Sequence, residues 1–299
     1  MPDPLFIGID LAWSARHNTA AAVISYNPTQ NDGAGVLSHW ATKLGDNAKI
    51  LDFVRMVAGP DPKYASPSLD PALVPALIAI DAPLVVPNLS GARLSDRIVS
   101  HVFRRFQAGT HPANRTNLGR YGNPPGDIRG ETLAMQLQAQ LGFAHSPYVW
   151  PRQLSRQFFE CYPHPAMVVL FDLQMTLKYK RKLRSVANDR FAAYDALQQH
   201  LHNLADLPHE PRLLIPPALL NRDTREIMGG VALKQYEDLL DSILCAYVAF
   251  YYWWWGTERS FVFGDMANGY IVTPITAALH QEAVNYWEGL QHRELENTE

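Results

Sequence analysis

The sequence predicts a single α/β domain in which helices cover both faces of a mixed β-sheet. Short apolar runs rich in β-forming residues alternate along the chain with longer segments of helical period, which is typical of this class. The 299 residues, of which 47% are apolar, suffice for one large domain with a sizeable core. No repeat and no linker divides the chain, so we expect one domain over residues 1–299 with insertions at 85–150 and 163–224.

The order of the predicted elements fits a three-layer arrangement that begins with a meander of three strands. Strands are predicted at Leu5–Asp10, Thr19–Tyr26, Val36–Thr42, Leu77–Asp81 and Phe158–Tyr162, with a hairpin at Phe261–Phe263 and Tyr270–Val272. Helices are predicted at Asp46–Ala58, Ser90–Phe106, Gly130–Leu141, Phe191–Leu204 and Arg225–Trp255. Prolines and glycines predict loops at Pro60–Pro71 and Gly109–Asp127, the second of them long and cationic.

Charge and composition exclude several classes of protein. The net charge of −3 and pI of about 6.4 argue against a strongly basic nucleic-acid-binding protein, so any contact with nucleic acid requires a local patch. Cys161 and Cys245 have no zinc-site spacing and are interpreted as small buried hydrophobic residues. No signal peptide is recognisable, and the most apolar stretch, Leu244–Trp255, is too short to span a bilayer. We expect a cytoplasmic protein without a membrane partner.

Two of the predicted strands end in an aspartate. Asp10 closes Gly-Ile-Asp and Asp81 closes Ala-Ile-Asp, each after an apolar run. Ligand sites in open α/β sheets form beyond the carboxyl ends of the strands, so both carboxylates are placed where a site is expected. Taken singly, either aspartate also suits a turn or a helix N-cap.

A second pair of acids lies on the longest predicted helix. Asp238 and Asp241 are three residues apart and project from one face, at the margin of an apolar stripe. This position is costly for a carboxylate unless a cation compensates it, although such pairs also occur on solvated faces. Together with the strand acids, the pair predicts a site for Mg²⁺ or Mn²⁺, which prefer oxygen ligands. Two such ions can support in-line hydrolysis of a phosphodiester.

Further candidate residues surround this set. Glu160 ends a predicted strand, and two roles stay open for it: a catalytic carboxylate in the site, or a cap for the helix near Pro165. Basic residues of Lys178–Arg190 and of the long loop are predicted to contact nucleic-acid phosphates, namely Lys178, Lys180, Arg181, Arg115 and Arg120. A solvated charged face is the alternative. The aromatic run Trp253–Trp255 packs either in the core or in a homodimer interface.

Six segments of the chain resemble the family of domains of unknown function 429, described as predicted nucleases of ribonuclease H fold. They are GIDLAW (Gly8–Trp13), AIDAPL (Ala79–Leu84), ECYPHPA (Glu160–Ala166), KYKRK (Lys178–Lys182), EDLLDSILCAYVA (Glu237–Ala249) and FGDMANGYIVTP (Phe263–Pro274). The segments occur in family order over nearly the whole chain. The pattern is also similar to Holliday-junction resolvases, which carry acids on the first strand, on the fourth strand and as a pair on the last helix.

The resemblance implies a ribonuclease-H-like fold and a metal-dependent nuclease that hydrolyses phosphodiester bonds in nucleic acid. Its metal ligands would be Asp10, Asp81, Asp238 and Asp241. The resolvases usually carry glutamate where this chain has Asp81, and the shorter side chain would draw the metals in or change their spacing. Two alternatives stay open: a nucleotide-binding phosphotransferase of the actin and sugar-kinase type, and a non-catalytic binding module of the same fold.

Overall fold

A computed structural model describes residues 3–59, 74–180, 187–208 and 211–296. The strands are β1 (Leu5–Asp10), β2 (Ala20–Tyr26), β3 (Gly35–Ala41), β4 (Ala76–Asp81), β5 (Ala144–His145), β6 (Arg156–Glu160), β7 (Leu213–Leu214), β8 (Ser260–Asp265) and β9 (Gly269–Pro274). The helices are α1 (Asn47–Ala58), α2 (Leu94–Phe103), α3 (Arg115–Leu118), α4 (Arg129–Leu141), α5 (Pro163–Leu170), α6 (Ala187–Asn203), α7 (Pro217–Leu220), α8 (Gly230–Trp255) and α9 (Ala277–Glu296).

The main sheet is mixed and has the strand order β5-β6-β4-β1-β2-β3-β7. Strand β1 lies at its centre, antiparallel to β2 and parallel to β4, and β4 is in turn parallel to β6. Strands β8 and β9 form a separate hairpin. The predicted α/β class and the mixed sheet are therefore confirmed. The two-residue strands β5 and β7 were not predicted, because two residues carry no periodic signal.

Helices pack on both faces of this sheet, as predicted. Successive residues of a strand point to opposite faces, and β1 shows this clearly: Ile7 and Ile9 pack with α1 and α4, whereas Phe6 packs with α5, α6 and α8. Strand β4 divides in the same way, with Ile78 on the first face and Leu77 on the second. Each buried strand thus contributes to two cores, which explains why its sequence is apolar throughout rather than alternating.

Helix α8 is buried along most of its length and lies against β1, β2 and β4. Gly8 permits this contact, because a Cβ atom at that position would overlap the carbonyl oxygen of Ser242 and the amide nitrogen of Ala246. At the other end of the helix, Trp253 and Trp254 are buried and pack with Tyr26 and Phe250. The aromatic run therefore belongs to the core, which was the first of its two predicted roles. Both cysteines are also buried.

The segment after β9 differs from the sequence-based expectation, which placed no element there. It forms α9, which packs against α2 through widely spaced apolar residues such as Leu279, Ala283 and Leu290. The predicted loop Gly109–Asp127 contains the short helix α3, and the loop predicted at Pro60–Pro71 lies outside the described residues. Within the described ranges, every helix is too short or too polar to cross a membrane.

Candidate active site

The two strand aspartates are neighbours at the carboxyl edge of the sheet. Asp10 and Asp81 are direct partners in the parallel register of β1 and β4. Because side chains alternate, Asp10 shares a face with Phe6 and Gly8, and Asp81 shares it with Leu77. Both carboxylates therefore project toward the face covered by α8, where Phe6 and Leu77 pack.

Helix α8 brings the second pair of acids to the same place. Its contact with β1 at Gly8 involves Ser242, the residue that follows Asp241. Asp238 lies one turn earlier, and both carboxylates are buried. Burial, followed by the charge of Asp241, raises the pKa of Asp10 well above its usual value, and Asp238 and Asp81 raise it further. The four predicted acids thus form one electrostatic cluster, here named the acid cluster (Asp10, Asp81, Asp238 and Asp241).

Lys180 lies inside the acid cluster rather than on an outer basic surface. Its Nζ is 2.8 Å from Oδ2 of Asp241, and the hydroxyl of Tyr179 donates a hydrogen bond to Oδ1 of the same carboxylate. Burial alone would raise the pKa of Asp241, but the ammonium of Lys180 and the nearby His164 bring it below its usual value. Burial also raises the pKa of Asp81, to about 7, although Lys180 opposes the rise.

Asp238 is paired with Lys234, which also contacts the neighbouring Glu237. Oδ1 is 2.6 Å from Nζ of Lys234, one turn earlier on α8, and Oδ2 accepts a hydrogen bond of 2.8 Å from the side-chain amide of Asn18. Asn18 belongs to the loop between β1 and β2, so this bond ties the loop that follows Asp10 to the helix acids. Two lysines therefore compensate two of the four carboxylates.

The acid cluster offers the donor chemistry of a Mg²⁺ or Mn²⁺ site but not a finished cage. Oxygen donors suit these hard ions, and the buried Oδ2 of Asp241 has the ionic contact with Lys180 but no hydrogen bond within the described ranges. In that same part of the chain, no three His, Cys, Asp or Glu side chains are arranged around a common point for a metal. The ammonium groups of Lys180 and Lys234 instead hold Asp241 and Asp238. To bind a metal, these two carboxylates would have to release the ammonium groups that they now contact.

Glu160 has neither of the roles considered for it. Its carboxylate is buried and paired with Arg93, whose Nη2 is 2.6 Å from Oε1 and whose Nη1 is 2.9 Å from Oε2. Oε2 also accepts from the amide of Leu84. In the register of the sheet, Glu160 lies beside Ile80, whose side chain faces α1 and α4. Glu160 therefore leaves the sheet on the side opposite to Asp81, and its carboxylate does not cap α5, which begins without a side-chain cap.

Several family motifs meet around this ion pair. Arg93 also holds Asp96, with Nη2 at 3.0 Å from Oδ1, and both side chains are buried. The amide of Glu160 donates to the hydroxyl of Tyr270 in the β8–β9 hairpin. Gly269 precedes it with a positive φ of 86°, and a Cβ there would come within 2.7 Å of Cδ of Arg93. The segments ECYPHPA and FGDMANGYIVTP thus meet in a buried structural network.

The predicted phosphate-binding residues are dispersed. Lys178 and Arg120 are exposed, whereas Arg115 is paired with Glu131 at 2.8 Å on the surface. Lys180 lies in the acid cluster, and Arg181 lies outside the described residues. The expected basic surface over Lys178–Arg190 is thus described only in part, and of its described residues Lys180 is the one that pairs with the acid cluster.

The sequence groups Arg129 with the loop arginines that are predicted to contact phosphates, but in the structure it is a positioning residue. Its Nη1 donates to the carbonyl oxygens of Ala12 and Ser14 at 2.8 and 3.1 Å, and its Nη2 donates to that of Gly45 at 2.9 Å. Burial lowers its pKa to about 10. Arg129 therefore clamps the loop that follows Asp10. Sequence reasoning also did not identify three further contacts of the acids, Asn18, Tyr179 and Lys234. Asn18 and Tyr179 lie far along the chain from the acids that they contact, and Lys234 has two acidic neighbours on α8 with which it could pair.

The comparison with known families agrees with the motifs. The family described as "Protein of unknown function (DUF429)" matches residues 8–266, a range that contains all four members of the acid cluster. The chain belongs to this family. No curated protein and no solved structure matches the DUF429 chain.

Proposed function

We propose that this DUF429 protein is a divalent-metal-dependent nuclease that hydrolyses phosphodiester bonds in nucleic acid by in-line attack of water, with two metal ions. The observation that carries the proposal is the acid cluster, in which two strands and a helix bring four carboxylates together at the carboxyl edge of the sheet. Crowded carboxylates with raised pKa values are typical of functional sites. The placement of acids on β1, β4 and a long late helix supports a ribonuclease-H-like fold as part of the same proposal.

Within this proposal, Asp10, Asp81, Asp238 and Asp241 hold Mg²⁺ or Mn²⁺. The bound ions would stabilise the attacking and leaving oxygens and would make water more acidic. The carboxylates supply hard oxygen donors, and Asn18 keeps the side chain of Asp238 directed toward the loop after Asp10. Arg129 fixes the course of that loop by donating hydrogen bonds to the carbonyl oxygens of Ala12 and Ser14.

Lys180 has a distinct part in the proposed reaction. In the present arrangement its ammonium neutralises Asp241. If Asp241 held a metal ion instead, the ammonium of Lys180 would be free to turn toward a phosphate oxygen, for which lysine is a common partner. Lys180 would then bind the substrate at the acid cluster, which differs from the outer phosphate contact predicted from the sequence.

A second candidate, binding of a nucleotide without hydrolysis, is favoured by one observation. Lys180 and Lys234 already pair with Asp241 and Asp238, so these two carboxylates are compensated without any metal. A site built to persist in this state would bind a phosphate group through the two ammonium groups and would not depend on Mg²⁺ or Mn²⁺.

Titration calorimetry with Mn²⁺, combined with cleavage assays, separates the two candidates. Wild-type protein and Asp10→Asn are titrated, and each is assayed on single-stranded, duplex and branched DNA and RNA. The surface variant Asp52→Asn, which alters an exposed pair with Arg55, is the matched control. The nuclease proposal expects Mn²⁺ binding and cleavage in the wild type and the control, and loss of both in Asp10→Asn. Nucleotide binding that is unchanged by chelation of metal, without cleavage, would favour the second candidate.

A further inference from the structure

Two large aromatic side chains stand exposed and in contact beside the acid cluster. Trp13 is 50% exposed and Tyr121 is 46% exposed, and their ring centroids are 5.5 Å apart at an interplanar angle of 55°. Trp13 follows Asp10 by three residues, which limits the separation of their Cα atoms to about 11 Å. Single exposed aromatic residues are common, but a contacting pair at the edge of a charged site is a candidate binding surface.

The backbone that carries Trp13 is fixed on both sides. Arg129 holds the carbonyl oxygens of Ala12 and Ser14, the residues that flank Trp13. Farther along the same loop, Asn18 is bonded to Asp238. Because the backbone on either side of Trp13 is already held, binding of a ligand to the indole would not have to order this part of the loop.

The loop that carries Tyr121 is also well ordered. Asn114 caps α3 and donates to the carbonyl oxygen of Gly91, and the amide of Gly126 donates to the carbonyl oxygen of Gly119. The two loops come from distant parts of the sequence, and both are held by internal bonds. The backbone segments that carry the exposed pair are therefore held in place by the rest of the protein.

Two basic residues lie close in sequence to the aromatic pair. Arg120 precedes Tyr121, Arg16 lies in the loop of Trp13, and both are exposed. Neither forms an ion pair with another residue in the ranges that the structure describes. Faces of aromatic rings flanked by arginines fit an unpaired nucleobase with its phosphates, because every base can stack and the arginines neutralise the backbone.

We propose that Trp13 and Tyr121 form a stacking platform for an unpaired base of a nucleic acid strand whose backbone continues to the acid cluster. This inference rests on the proposed function for its substrate class. It deepens that function by assigning single-stranded or locally unpaired nucleic acid as the ligand. Duplex DNA would bind the platform only where a base is displaced from its stack.

Fluorescence anisotropy with two short labelled DNA single strands tests the platform. One strand carries all its bases and the other is abasic at its central positions, and both are measured with Ca²⁺ in place of Mg²⁺. Trp13→Ala and Tyr121→Ala are expected to bind the complete strand roughly 5- to 100-fold more weakly, the usual effect of losing one stacked base. Binding of the abasic strand should be weaker in the wild type and change little in either variant. Trp13→Phe should recover part of the affinity.

Trp150→Ala is the matched control. Trp150 is 74% exposed but precedes β6, so it lies toward the amino edge of the parallel strands, away from the acids. Circular dichroism of every variant monitors folding. Equal weakening for complete and abasic strands, or unchanged binding in Trp13→Ala, would overturn the platform, as would failure of the wild type to bind single strands at low salt.

Two further outcomes separate this inference from the proposed function, and a third tests for self-association. Metal-dependent cleavage that persists unchanged in Trp13→Ala would overturn the platform and leave the nuclease intact. Base-dependent binding without Mn²⁺ binding or cleavage would support the platform and contradict the nuclease. A change in sedimentation of Trp13→Ala, with no change in DNA binding, would identify the pair as an interface between copies of the chain and overturn the proposal.

Discussion

Gly8 of β1 is in direct contact with the backbone of Ser242 in α8, and this contact sets the position of Asp241 relative to Asp10. Side chains normally separate a helix from the sheet on which it packs. At Gly8 no side chain intervenes, so the helix backbone reaches the strand two residues before the strand acid. The acid cluster therefore depends on a residue that has no functional group.

Gly8→Ala is expected to destabilise the protein by about 1–3 kcal/mol or more, because an added methyl group must displace the helix backbone rather than a flexible side chain. Chemical denaturation measures the change in the free energy of unfolding. Gly230→Ala is the control, since a Cβ there meets no neighbouring atom within 4 Å. Equal denaturation midpoints for Gly8→Ala and wild type would mean that the contact with Ser242 does not limit the size of the side chain at position 8.

Glu160→Gln is expected to lower the free energy of unfolding by about 3 kcal/mol, because it leaves the buried Arg93 with only one of its two carboxylates. Asp52→Asn, in an exposed pair with Arg55, should change it by less than about 1 kcal/mol. A folded Glu160→Gln protein should still bind Mn²⁺, since Glu160 faces away from the acid cluster. Loss of Mn²⁺ binding without loss of stability would restore Glu160 to the proposed site.

Asp81 predicts a pH dependence with a definite sign. Its pKa is about 7 in the folded protein against an ordinary value of 3.8, chiefly because of burial. The folded state therefore holds the proton more tightly, and without metal its stability should fall as pH rises from about 4 to 7, by an amount on the order of 4 kcal/mol. Asp81→Asn should remove this contribution and be more stable than wild type at pH 8.

Urea denaturation at several pH values, with and without Mn²⁺, checks this prediction. Mn²⁺ binds carboxylates in their deprotonated form, so it should raise wild-type stability most at the upper end of the range. The variant should gain less from the metal. Identical pH profiles of the free energy of unfolding for the two proteins would show that the charge of Asp81 does not destabilise the folded state.

The fold class and the acid cluster could be predicted because each acid is tied to a strong local pattern. Asp10 and Asp81 end apolar strands, and Asp238 and Asp241 share one side of a helix. The side of the sheet on which a strand-end acid lies could not be predicted for Glu160. That side depends on the pairing of Glu160 with Ile80, which is a property of the assembled sheet.

The cations that hold the site together had no local signal. Lys180 occurs in a basic run that suggests a solvated or nucleic-acid-binding surface, yet it reaches Asp241 across 61 residues of sequence. Arg129 contacts carbonyl oxygens of residues that lie more than 100 positions away. Backbone acceptors are present at every residue, so no pattern of residue types can identify such a clamp.

Lys180→Gln should separate metal binding from catalysis. The ammonium of Lys180 and a divalent cation compete for Asp241, so removing the ammonium is expected to tighten Mn²⁺ binding by about tenfold, the equivalent of roughly 1.4 kcal/mol. The metal-free variant should be less stable than wild type, because the buried carboxylate loses its cation. Cleavage should nevertheless fall, since no ammonium remains to bind the substrate phosphate.

Lys178→Gln, at an exposed lysine two residues earlier, is the matched control. Weaker Mn²⁺ binding in Lys180→Gln would contradict the competition between lysine and metal, whereas tighter binding with unchanged cleavage would leave Lys180 a charge-balancing residue only.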